Sequence, residues 1–245
     1  MDKVAASARN NAAWYASMFR AHGLPDEILP AVWLSRATPP PYHSNLVVIS
    51  DAPNDAFTHI RALMALPLSP GWTLKDSFCT LELGGLGFEV LFEAAWIWRE
   101  PRPHGASPAM GWTRIASPAE LLAWEEGWLG DARNSDAQGR PAQFPPSLLA
   151  DPDTAFFACH RGQELVAGGI ANRAAGVVGV SNVFVRVGDT DTAWAGLIDA
   201  AQAAFPGSPL VGYQRGAALE AATACGFEPI GPLRVWVRRA APTSS

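Results

Sequence analysis

The residues with the greatest chemical potential in this chain lie in its last third. Tyr213 ends the apolar run LVGY on a predicted strand, where an aromatic side chain sits half-buried. Two residues on, Arg215 precedes Gly216 at a helix entrance, and a guanidinium there can hold a carboxylate or phosphate through two parallel N–H donors. Glu220 follows on that helix as a solvated position. Upstream, the run Arg186-Val187-Gly188-Asp189-Thr190-Asp191 leads into another helix, and Asp189 and Asp191 suit its positively polarised start. Cys225 has no histidine near it in sequence and reads as an inert buried thiol, and His160 as a structural residue. Cys159 and His160, adjacent on a strand, point to opposite faces and cannot easily share one ion. Cys79, Cys159 and Cys225 are widely spaced and lack any Cys-x-x-Cys pair, so no metal is expected.

The partners these residues serve are bounded by charge. A net charge of −5 with only 18 Lys and Arg, none in runs, argues against a nucleic-acid or anionic-membrane surface. No apolar stretch is long enough to span a membrane, and MDKVAASARNNAAWYASMF is too polar for a signal peptide, so a reduced cytoplasmic setting is expected. A small-molecule substrate is the expected partner, with a homodimer through Trp96, Trp98 and Trp236 as a further option.

These residues need elements to hold them. Val4, Ala5, Ala12, Trp14, Tyr15, Met18 and Phe19 predict an amphipathic helix over 3–21. Strands follow at 31–35 and 45–50, then a helix ended by Pro67, a strand at 72–74, a helix over 77–86 and a strand over 89–98. Pro101, Pro103, Gly105 and Pro108 mark a linker. Beyond it come a strand at 112–115, a helix capped by Ser117 with Glu120 three residues on, and a polar loop over 130–152, long enough for a flap. Strands at 155–160, 164–172 and 177–185 form a meander, with Gly168-Gly169 marking a bulge or a close backbone approach. A helix at 191–205, the Tyr213 strand, the Glu220 helix and an extended run to Arg238 complete a mixed sheet with helices on both faces.

An internal echo organises these elements. Ser44-Asn45, Ser69-Pro70 and Gly87-Phe88-Glu89 recur in order as Ser181-Asn182, Ser208-Pro209 and Gly226-Phe227-Glu228, as in a duplicated unit. Asn45 and Asn182 are expected to satisfy backbone groups at a strand opening. The expected domains are a truncated one at 1–100, a linker at 101–110 and a fuller one at 111–245.

The order FFACHRGQELVAGGIANRAAGVVGVSNVFV, a helix, then GYQRGAALEAATACGFEPIG resembles the GNAT superfamily of acyl-CoA-dependent N-acetyltransferases over 111–238, preceded by a truncated half-repeat. The resemblance implies an α/β fold with a mixed sheet, acetyl-CoA as co-substrate and a small-molecule amine as acceptor. It implies that the cofactor lies in a groove along Val183, Phe184, Val185 and Gly188. Tyr213 and Glu220 then serve as the nearest proton-transfer residues and Arg215 as a substrate-binding one. Two departures accompany it: the phosphate-binding loop carries one glycine with Asp189 and Asp191, and the family's usual Tyr position is Ala222. The alternative is a non-catalytic module of the same fold that binds a ligand or a protein.

Overall fold

The computed structural model describes residues 2–68, 71–101, 111–130 and 142–239. In chain order the elements are α1 (Lys3–Ala21), β1 (Glu27–Ile28), β2 (Val32–Leu34), β3 (Leu46–Val48), α2 (Pro53–Met64), β4 (Thr73–Asp76) and β5 (Phe88–Arg99). They continue with β6 (Trp112–Arg114), α3 (Pro118–Leu129), β7 (Thr154–Arg161), β8 (Glu164–Ala174), β9 (Val177–Val185), α4 (Thr190–Ala204), β10 (Leu210–Gln214), α5 (Gly216–Ala224) and β11 (Glu228–Arg238). This is the expected mixed α/β architecture.

Two compact units emerge: residues up to Trp96 with those from Ile230 onward, and Ile97–Pro229. A division in chain order assigns the last strand to the second domain, whereas packing groups it with the first. The reason is its pairing, because Arg234–Val237 of β11 run antiparallel to Thr73–Asp76 of β4. Positions 102–110 of the expected linker, 131–141 of the expected flap and Ser69-Pro70 lie outside the described residues.

In the first unit β1, β2 and β3 are antiparallel, and β3 joins β4 in parallel through the crossover helix α2. Leu46, Val48, Ile60, Leu63, Leu74 and Trp236 belong to one apolar core. Tyr15 and Phe19 of α1 meet Trp33 edge-on. Trp96, Trp98 and Trp236 are buried, so they do not form the exposed surface entertained for a homodimer. The helix expected over 77–86 is replaced by a turn and a short 3₁₀ segment at Gly84–Leu86. The cause is Asp76, whose buried carboxylate accepts hydrogen bonds from the N–H groups of Phe78, Thr80 and Leu81. An aspartate that holds backbone donors in this way competes with the helical ladder, and Gly84-Gly85 do little to restore it.

The second unit is built on β6–β7–β8–β9 as an antiparallel meander, and β10 pairs in parallel with β9 after the crossover helix α4. Its helix α3 begins as the sequence dictates: Ser117 Oγ accepts from the Glu120 N–H and the Glu120 carboxylate accepts from the Ser117 N–H, a complete capping box. The two faces of the sheet are set by adjacent glycines on β8. A Cβ on Gly168 would collide with Trp124 of α3 and Phe184, and one on Gly169 with Leu197 of α4. The absence of side chains at these two positions lets a helix seat closely on each face. On the α4 side Trp194, Leu197, Ile198, Leu210 and Phe227 form the core, where each fully buried large apolar side chain contributes roughly 2–3 kcal/mol.

The polar loop after α3 is tied down at its far end. Glu125, itself buried, accepts hydrogen bonds from the backbone N–H groups of Gln143 (2.9 Å) and Phe144 (3.1 Å). Phe144 then packs edge-on against Trp124 and Trp128, and Pro146–Ala150 form a 3₁₀ turn.

Candidate functional site

The parallel ladder between β9 and β10 is short. Among the described residues it joins Val178 to Leu210 and Gly179 to Val211, and β9 runs on to Val185 and β10 to Gln214 beyond the last pair they share. The separation has a local cause. Against β8, Ile170 faces Ser181 and Gly168 faces Phe184, so three steps along β9 oppose two along β8. The extra residue forms a bulge at Asn182, whose φ of 52° lies in the left-handed region that asparagine tolerates better than most side chains. A bulge bends its strand, and here it falls just beyond the last β9–β10 pair. Phe184 and Val185 stay paired with Gly168 and Ala167 of β8 on one edge, while the other edge has left the ladder with β10.

The two asparagines therefore do different work. Asn45 donates from Nδ2 to the carbonyls of Ser35 and Ala37, as expected. Asn182 supplies a backbone conformation. Nor do they occupy equivalent ladder positions. The Asn45 N–H donates to Thr73 at the opening of the β3–β4 pair, a place taken in the second unit by Val178 donating to Pro209. Strand β3 ends at Val48, so among the described residues the first unit shows no counterpart of the extended end of β9. The Gly-Phe cue holds better: Gly87 and Gly226 both have positive φ, 80° and 85°, and lead buried Phe88 and Phe227 into strands.

Around the opening, Val183 and Val185 pack toward the α4 core, and Phe184 points the other way against Trp124, with ring centroids 5.2 Å apart. On β10, Leu210 belongs to the α4 core and a Cβ on Gly212 would point at Ile97 of that same core. Alternation then sends Tyr213 to the face of Phe184. Tyr213 is half-buried, and desolvation raises its phenol above the ordinary value, so it keeps its proton at neutral pH. Glu220 is exposed on α5, away from the side that buries Ala221 and Ala222. Ala222, where the resemblance implies a Tyr, lies on the buried face of α5 in the core. Arg215 stands exposed at the start of α5 and makes no side-chain cap.

Above the opening, α4 begins at Asp189. Its carboxylate accepts from the Thr192 N–H at 2.8 Å and the Thr192 hydroxyl at 2.7 Å, and these bonds hold it below the ordinary carboxylate range. Gly188, with φ of 109°, gives the turn that this start requires, and Arg161 stands beside it. Sequence reasoning missed a neighbouring depression of about 470 Å³ lined by Arg99, Asp191, Thr192, Ile198, Cys225 and Gly226. Arg99 is buried and donates from Nε to the Cys225 carbonyl at 3.0 Å. The Cys225 thiol lies 3.5 Å from the Asp191 carbonyl and is only partly buried, unlike the buried thiol expected, though desolvation pushes its pKa up. Arg99 and Cys225 are far apart in sequence, and no local pattern joins them.

No protein-family model and no curated protein sequence matches this chain. Solved structures do. A GCN5-related N-acetyltransferase from Kribbella flavida aligns over 97% of this chain and 97% of its own, at 16% identity and a TM-score of 0.57. A GNAT-family protein from Novosphingobium aromaticivorans covers 93% and 97% at 12% identity and a TM-score of 0.57. A conserved protein of unknown function from Staphylococcus epidermidis covers 89% and 95% at 8% identity and a TM-score of 0.58. The chain has the GNAT fold, and the likeness to the first two runs through both of its halves.

Proposed function

We propose that the second unit is an acyl-CoA-dependent N-acyltransferase that acts on a small-molecule amine. The observation that supports this reading most is the opening between β9 and β10, made by the Asn182 bulge, which presents the unpaired backbone edge of Val183–Val185 to an extended, amide-bearing ligand arm. A pantetheine arm fits such an edge because its amides can add to it as a strand would. Its nucleotide diphosphate does not fit the start of α4, where Asp189 already occupies the capping position.

Acyl transfer needs an unprotonated amine nitrogen to bond the thioester carbonyl carbon while the carbon–sulfur bond breaks and the sulfur takes up a proton. Tyr213 is the donor of that proton: it lies on the diverging end of β10 and burial keeps its hydroxyl protonated. Glu220, in solvent, relays the proton released by the amine to water. Arg215, beside Gly216, holds an anionic group of the acceptor. The Trp124, Phe144 and Phe184 wall on the Tyr213 side makes that face apolar.

The test is amine-dependent release of free thiol from acetyl-CoA across a panel of small amines. Turnover is expected with at least one of them, and Tyr213→Phe should lower kcat about a hundredfold with donor binding unchanged. Unchanged kcat removes Tyr213 from this role.

A further inference from the structure

The start of α4 is the natural place for a diphosphate beside this cleft, because a helix N-terminus offers free N–H donors and a positive end. Here part of those resources is already committed. Asp189 takes the Thr192 N–H and hydroxyl, Asp191 adds a second carboxylate in the first turn, and Gly188 is the only glycine between Val185 and the helix. Both acids stand at the helix start that a diphosphate would use, Asp189 at its cap and Asp191 in its first turn, and like charges repel. The adjoining depression does not restore the balance. It is lined by Arg99, which is bonded to the Cys225 carbonyl, and by the same Asp191. The diverging edge of Val183–Val185, by contrast, stays open to an amide-bearing arm.

Resting on the acyltransferase reading above, we infer that the β9–β10 cleft recognises its donor by the acylated pantetheine arm and not by a nucleotide diphosphate, so that a pantetheine thioester lacking the nucleotide serves as well as the full coenzyme thioester. Asp189 acts as a specificity determinant by filling the anion position with a charge of the protein's own. Its removal has to spare the helix, and serine does so, since its hydroxyl caps nearly as well as a carboxylate.

The experiment compares acetyl-CoA with acetyl-pantetheine by calorimetry in the full chain and in an Asp189→Ser, Asp191→Ala double variant, with circular dichroism to show that α4 is retained. In the unaltered chain the two dissociation constants should agree within about threefold, less than the energy of one good charge-assisted hydrogen bond. In the variant acetyl-CoA should gain about tenfold or more over acetyl-pantetheine, as expected when repulsion gives way to a free helix start. Acetyl-CoA binding about thirtyfold or more tightly than acetyl-pantetheine in the unaltered chain overturns this inference while leaving the acyltransferase reading intact. A variant that gains no preference for acetyl-CoA also overturns the role given to the two acids. Failure of both thioesters to bind at millimolar concentration overturns the inference and the acyltransferase reading together.

Discussion

Lys75 carries a side chain that the first unit treats as part of its core. It is 1% exposed, donates to Asn11 Oδ1 at 2.7 Å and stands 4.8 Å from the centre of the Tyr15 ring, and burial lowers its ammonium from 10.5 to about 7. Between those values the unfolded chain holds a proton that the folded chain has released, so this residue's contribution to stability rises with pH from about 7 toward 10.5 and is lost as pH falls. Denaturant melts of the native chain and Lys75→Met across pH 7.5–9.5 should diverge with a slope approaching about 1.4 kcal/mol per pH unit, the limit for one proton. Parallel curves would show that Lys75 stays charged in the fold. Nothing in the sequence marks this lysine, because LKD reads as an ordinary strand segment and only the placement of α1 over it reveals the burial. Tyr213 was legible as a half-buried strand aromatic, whereas the core position of Ala222 was not, because one turn of α5 can face either way until its packing partner is known.

The bulge of β9 and the glycines of β8 decide the site at the level of elements. Asn182→Gly should leave stability nearly unchanged, since glycine accepts positive φ freely. Asn182→Val should cost about 1–3 kcal/mol in chemical denaturation, because a β-branched residue is strained there. Equal stabilities would mean that the bulge relaxes elsewhere. On α4, a Cβ at Gly196 would enter the space of the Trp112 indole, so Gly196→Ala should destabilise the second unit by about 1–3 kcal/mol, measured the same way. Most of these elements could be read from local pattern. The capping box of α3, the meander and the Gly168-Gly169 approach follow from spacing and residue type, with no knowledge of what lies across the sheet. The helix expected over 77–86 does not form, because the Asp76 side chain captures the N–H groups just after it, a side-chain commitment that apolar periodicity cannot report.

At the scale of the whole molecule, the chain order of motifs and the order of packing diverge. The shared Gly-Phe turns are genuine common geometry, but Asn45 and Asn182 stand at different points of their ladders, so sequence cues aligned two asparagines that the folds do not. Strand β11, the last in sequence, packs with the first unit, a long-range pairing that no local signal announces. Because β3 stops at Val48, where β9 continues through its bulge to Val185, the thioester site we propose lies in the second unit alone. Titration calorimetry of acetyl-CoA into the full chain tests that claim most directly. The expected result is saturable binding of a single equivalent per chain, with a matching rise in melting temperature. Heat and melting temperature both unmoved at millimolar acetyl-CoA would contradict it.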